Sequence, residues 1–181
     1  LSASTSKNDT SNLAQQGGRI ILDGDNIIVS AGSKTAANGN NGGGSIEIKA
    51  SNTIAVEAGA KISANARTAG NGGKIIIMSE NKTVVDGKIS AQGGAQSGNG
   101  GLIETSSKKI LELGKNLQVD AGARASTGKA GTWLLDPFDL LIDAVSSQII
   151  SAALNTSNVR IEVNALGCSG LGVCTSNGSG R

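Results

Sequence analysis

Few residues in this chain can do chemistry. There is no histidine among the 181 residues, so neither a Ser-His-Asp nor a Cys-His pair can be assembled, and Cys168 has no neighbouring base in the sequence. Carboxylates are the remaining route to catalysis. Asp23 with Asp25, or Asp139 with Asp143, would suit glycoside hydrolysis if the fold brought a pair to one face, although acids at strand ends are more often solvated turn residues. Two isolated cysteines without histidine are a weak zinc signal. The Gly-Gly-x-Gly-x-Asp spacing of calcium-binding repeats is missing, and the glycine clusters at 39–44 and 93–101 lack the Lys-Ser/Thr of a phosphate loop. No catalytic, cofactor-binding or metal-ligating residue is assigned, and no cofactor is expected. Cys168 and Cys174 flank Ser169-Gly170-Leu171-Gly172-Val173, a segment pliable enough for their sulfurs to meet. They form a candidate disulfide, which would place the protein outside the reducing cytosol, with two unpaired loop thiols as the alternative.

Charge offers a second kind of site. Ser30, Glu57, Asp86 and Asp120 align in one outward position of a repeat, and Lys34, Lys61, Lys88 and Arg124 in another just past the following glycine. The preferred reading is a solvated, register-fixing pair of columns in which basic groups offset acidic ones. The sharper reading is a linear array that recognises an acidic or sulfated glycan, or a cation, with Lys61, Lys88 and Arg124 as a ligand-binding ladder. Sixteen basic against 14 acidic residues leave a formal charge of only +2, and interleaved aromatics are missing, so no nucleic-acid partner is expected.

The elements that must position these groups are set by a repeat. Glycine pairs at Gly17-Gly18, Gly43-Gly44, Gly72-Gly73 and Gly100-Gly101, with a degenerate copy at Gly131-Thr132, return at intervals of 26, 29, 28 and 31 residues. A period in this range signals stacked structural units. Each pair leads into alternating runs such as Arg19-Ile20-Ile21-Leu22 and Ser45-Ile46-Glu47-Ile48. A second run follows a polar break holding Asn26, Asn52, Asn81 or Asn116, and a third follows a glycine, as in Lys61-Ile62-Ser63-Ala64. Period-2 patterning cut by Gly and Asn reads as three short strands per repeat. The fold class is therefore all-β, a parallel β-helix or solenoid of about five coils.

Three inward ladders are expected: Ile20, Ile46, Ile75 and Ile103; Leu22, Ile48, Ile77 and Thr105; and Val29, Val56, Val85 and Val119. With 27 Gly, one Pro, one Trp, one Phe and no Tyr, an aromatic core is beyond the chain's means, and a narrow solenoid needs none. Residues 1–16 read as a partial preceding coil or linker, 17–145 as the repeats, and 146–181 as a short helix, a strand and the cysteine loop. No transmembrane segment is expected, because no stretch approaches about 20 apolar residues. The chain is expected to be a piece of something longer.

The repeat changes character at Trp133-Leu134-Leu135-Asp136-Pro137. Pro137 cannot donate to a ladder and belongs at a strand end or bulge, after which Phe138 to Asp143 is expected to resume as a strand. The two aromatics beside the sole proline suggest a plug or bend. A sugar-stacking platform with Asp136, Asp139 and Asp143 is the alternative. Between Ser146 and Asn155 the spacing of Ile149, Ile150, Ala153 and Leu154 predicts a short helix capped by Ser146 or Ser147.

Gly100-Gly101-Leu102-Ile103-Glu104-Thr105-Ser106, followed by Gly131-Thr132 and Trp133 to Pro137, resembles the glycine-pair and WLLDP pattern of filamentous-haemagglutinin-like, high-molecular-weight adhesins of the two-partner secretion pathway. Residues 149–155 and 158–163 are similar to the short element and strand that follow that motif. The resemblance covers most of residues 17–163; the asparagine-proline motifs of the family's secretion domain have no counterpart. It implies a right-handed β-helical shaft, secreted or held at the outer surface of a Gram-negative bacterium. It also implies export by an outer-membrane transporter acting on a domain not present here, and adhesion to a host-cell receptor or glycan. A non-catalytic adhesive shaft is thus the expected function, and a β-helical polysaccharide lyase or glycoside hydrolase the alternative.

Overall fold

The protein is described by a computed structural model over residues 1–5 and 15–163. In chain order its elements are β1 (Arg19–Val29), β2 (Lys34–Ala36), β3 (Ser45–Val56), β4 (Lys61–Ser63), β5 (Lys74–Ser79), β6 (Lys82–Val85), β7 (Lys88–Ser90), β8 (Leu102–Leu113), β9 (Gln118–Asp120), β10 (Thr132–Asp139), α1 (Ala144–Ala153) and β11 (Asn158–Ile161). Every strand pair is parallel. One sheet runs β1-β3-β5-β8-β10-β11, with β6 pairing β3 and β8, and the other runs β2-β4-β7-β9. These are the stacked coils of a β-solenoid of about five turns.

The long strands β1, β3 and β8 run round a corner, which divides the first sheet into two sides. In β1 the register shifts between Gly24 and Asn26, and in the third coil the chain breaks outright between β5 and β6. Asparagines line this corner because a side-chain amide can donate to the coil below and accept from the coil above. Asn52 Nδ2 donates to Asn26 Oδ1 at 2.8 Å, and Asn81 Nδ2 to Asn52 Oδ1 at 2.8 Å.

Two inward columns follow the sequence reading. Ile20, Ile46, Ile75 and Ile103 are in register and continue into Trp133 and Val159, while Leu22, Ile48, Ile77 and Thr105 continue into Leu135 and Ile161. Ile46, Ile48, Ile75, Ile77, Ile103, Trp133 and Leu135 are essentially inaccessible to solvent, so each coil fills the space above the last. The third column is corrected at its fourth rung. Val29, Val56 and Val85 are followed by Leu113, whereas Val119 stacks on Ile89, Ile62 and Thr35 in the other sheet. Leu117-Gln118-Val119 imitates the second run of a coil, but that run is Ile110–Leu113, continuous with β8 round the corner.

The glycine pairs have a steric cause. At the end of the third side an alanine carbonyl accepts from the second glycine of the next pair: Gly44 N–H to Ala37 at 2.8 Å, Gly73 to Ala64 at 2.7 Å and Gly101 to Ala91 at 2.7 Å. In the fifth coil Gly131 donates to Ala121 at 2.7 Å and is the counterpart of Gly101, so the degenerate copy is Ala130-Gly131 and not Gly131-Thr132. A Cβ on Gly43, Gly72 or Gly100 would overlap the next alanine carbonyl oxygen in the series, so only glycine lets the backbones approach.

The fifth coil ends the second sheet. Buried Pro137 sits inside β10, and the register slips between it and Asp139. The expected strand from Phe138 to Asp143 is not formed: β10 ends at Asp139, and Leu141 and Ile142 are exposed. Helix α1 follows, and Asp143 is its N-cap instead of Ser146 or Ser147. The Asp143 carboxylate accepts from the Ser146 N–H at 2.8 Å while Ser146 Oγ accepts from the Asp143 N–H at 2.7 Å, a reciprocal capping box. Ile149 and Ala153 join the core cluster that includes Leu117 and Val119. The helix thus lies where the next strand of the second sheet would run. Ser157 Oγ accepts the Ala121 N–H at 2.8 Å, satisfying a donor that no further strand meets.

Candidate functional site

The second sheet aligns Lys34, Lys61 and Lys88 in one exposed column, continued by Gln118. Inter-strand spacing sets adjacent rungs about 4.8 Å apart. Arg124 is not a rung, which corrects the aligned ladder. Its guanidinium lies along the stack, with Nε donating to the Gly93 carbonyl at 2.9 Å and Nη2 to the carbonyls of Ala66 and Arg67. A side chain spent on three main-chain acceptors is a brace across coils. Asp120 also leaves its expected column, since it stacks on Ser90 and Ser63 and accepts from the Gln92 amide.

The acidic column does not neutralise the lysines. Glu57 Oε2 accepts the Ala31 N–H at 2.8 Å, and Asp86 accepts from the Asn116 N–H at 2.7 Å and Asn116 Nδ2 at 3.0 Å. These carboxylates shape the turns between the sides. Ion pairs among the described residues lie elsewhere: Glu47 with Arg19 and Lys49, Glu112 with Lys82, Glu80 with Lys108, and Glu162 with Arg160. Hydrogen bonds from Lys49 and then Arg19 hold the Glu47 carboxyl below its ordinary range. Lys34, Lys61 and Lys88 form an in-register column with no carboxylate partner within 4 Å among the described residues.

One member of each carboxylate pair named for hydrolysis is engaged in structure. Asp25 accepts from Ser51 Oγ at 2.6 Å and from Asn26 Nδ2 at 2.8 Å. Asp143 caps α1, and its carboxyl is held below the usual range by the Ser146 backbone N–H first and the Ser146 hydroxyl second. Among the described residues no group of three or more Cys, Asp or Glu is placed to hold a metal, and no helix is long and apolar enough to cross a membrane. Cys168 and Cys174 lie outside the described residues.

Trp133 cannot be a sugar-stacking platform. Its indole is fully buried in the isoleucine column, and Nε1 donates to Thr105 Oγ1 at 3.0 Å. This explains a threonine in a column of aliphatics: the indole donor needs an acceptor where no water reaches. Leu135 packs beside it in the core, and Leu134 is half-buried on the outer face. Asp136 and Pro137 take different roles. Pro137 faces the interior, while Asp136 continues an outward column whose rungs are Asp23, Lys49, Met78, Ser106 and Asp136.

That outward column holds a groove which sequence reading missed. Ser106 is small and lies between two longer side chains, Met78 on one coil and Asp136 on the next but one, so the ladder is notched there. Lys108, Phe138 and the edge of Pro137 complete a cavity of about 380 Å³, open on one side. The legible signal was the drop in side-chain size at one rung, visible only once the coils are aligned. No protein-family model, curated protein or solved structure matches the chain.

Proposed function

We propose that this chain is a structural and adhesive shaft segment of a large secreted or surface-displayed bacterial exoprotein, and that it acts by binding without catalysis. The observation that carries the reading is the expenditure of its side chains. Inward positions are filled by columns of Ile, Val and Leu, and corner amides bond up the stack. Glu57 and Asp86 shape turns, and Asp143 caps the helix. The exterior is left as a regular, elongated surface with a fixed vertical repeat, which suits display. The likeness of Trp133 to Pro137 and the glycine pairs to haemagglutinin-like adhesins supports the same assignment, with host-cell glycans or receptors as partners and the outer cell surface as location. Fold alone does not select among solenoid functions. The test is a glycan array and a host-cell binding assay with the purified chain, together with a reducing-end assay on the polysaccharides bound. Binding without new reducing ends is the expected outcome. Release of products would replace the shaft by a carbohydrate-active enzyme.

A further inference from the structure

We infer that the notch at Ser106 is a binding site for one neutral pyranose ring of a glycan. The inference rests on the adhesive reading and gives it an address.

Geometry makes the site. The strands carrying Met78 and Asp136 are two inter-strand spacings apart, about 9.6 Å, and the rung between them is a serine. The cavity of about 380 Å³ falls in the range of small-molecule sites. Its floor is held firmly. Ser107 Oγ donates to the Asn81 carbonyl at 3.0 Å, Thr83 Oγ1 donates to the Ser106 carbonyl at 2.8 Å, and Thr83 is itself fully buried. A ligand entering here meets a preorganised wall and does not have to order a loop.

Chemistry selects the occupant. Phe138, Met78 and Pro137 supply an apolar wall that includes the only phenylalanine in the chain, left half-buried. The C–H face of a pyranose fits such a wall, while its hydroxyls need donors and acceptors at the rim. The Asp136 carboxylate and the Lys108 ammonium line it there, while Ser106 is almost wholly buried at the base of the notch. The lining offers an acidic sugar no uncommitted cation. Lys108, the one cation lining the notch, is already paired with Glu80 at 2.7 Å, and Ser106 Oγ donates to Glu104 Oε1 at 3.3 Å. A sialylated or sulfated residue would meet a cation already committed to a carboxylate. A neutral hexose needs no counter-ion.

The experiment is saturation-transfer NMR on the whole chain with methyl glycosides of glucose, galactose, mannose and N-acetylglucosamine, with a sulfated disaccharide as charge control. At least one neutral glycoside should give a signal and the sulfated probe none. Phe138→Ala should weaken the binding about three- to tenfold, the range of one aromatic contact. Ser106→Gln, which fills the notch, should abolish it. Thermal melts of both variants establish that they fold. If only the sulfated probe binds, if no probe binds, or if folded variants bind as the parent does, the site is wrong. Host-cell binding that persists in those cases would leave the adhesive reading standing, whereas its loss together with polysaccharide turnover would remove both.

Discussion

Thr105→Val isolates a single buried hydrogen bond. Valine matches threonine in shape, so the column of Ile77, Thr105 and Leu135 stays filled, but the Trp133 Nε1–H loses the acceptor it reaches at 3.0 Å. The indole nitrogen is a donor only, and the side chain is fully buried, so water cannot replace the lost partner. Leaving such a donor unsatisfied costs about 1–3 kcal/mol. For a chain of this size that corresponds to a fall in Tm of about 2–12 °C. Trp133 is the only tryptophan, so its fluorescence in a urea titration follows the fifth coil directly. Emission of the native protein should be that of an indole shielded from water. A double-mutant cycle with Trp133→Phe, read by circular dichroism, should give a coupling of about 1 kcal/mol or more, because the second change removes the donor stranded by the first. A loss below about 0.5 kcal/mol for Thr105→Val, or solvent-exposed emission from the native chain, would refute the placement of Trp133 in the core.

Lowering pH should loosen α1. The Asp143 carboxyl has a depressed folded-state pKa, so its stabilisation is present above the ordinary carboxyl value of 3.8 and is lost as pH falls through the lower folded value. Helix amides should lose hydrogen-exchange protection on acidification across that window, and Asp143→Asn should flatten the response; an equal response in the variant would show that other groups control it. Gly100→Val should prevent stacking of the fourth and fifth coils, since its side chain would overlap the Ala121 carbonyl, and a native circular dichroism spectrum and unchanged melt would contradict the close approach. Replacing Lys34, Lys61 and Lys88 by Gln should change stability by no more than about 0.5 kcal/mol, because no ion pair is lost among the described residues. A loss above about 1 kcal/mol, abolished by salt, would reveal the acid-base offset that the geometry does not contain.

The fold was legible because stacking repeats one instruction. Ile20, Ile46, Ile75 and Ile103 occupy equivalent places after their glycine pairs, and an aliphatic residue at each is what a close-packed column requires. Legibility failed where a coil changes its spacing. In the fourth coil β8 runs unbroken through Lys108 and Lys109 to Leu113, and the later Leu117-Gln118-Val119 imitates the run already completed. That single slip of alignment moved Val119, Asp120 and Arg124 into columns they do not join. The strand expected beyond Phe138 failed for a different reason: Pro137 removes a donor at the corner, and the Asp143 cap with its Ser146 partner turns the chain into a helix. The notch was illegible because it is a property of three adjacent coils, and only the register between Met78, Ser106 and Asp136 reveals it.

Engineered disulfides measure that register most directly. With Cys168 and Cys174 replaced by serine, Lys88→Cys with Gln118→Cys places two outward thiols on adjacent rungs, about 4.8 Å apart at Cα, within disulfide reach. Oxidation should join them in the folded chain. Lys61→Cys with Gln118→Cys spans two rungs, and Lys88→Cys with Arg124→Cys follows the discarded alignment, so neither pair should close. Bonding of 88 to 124 and not to 118 would contradict the stack, and with it the fixed repeating exterior on which the shaft assignment depends.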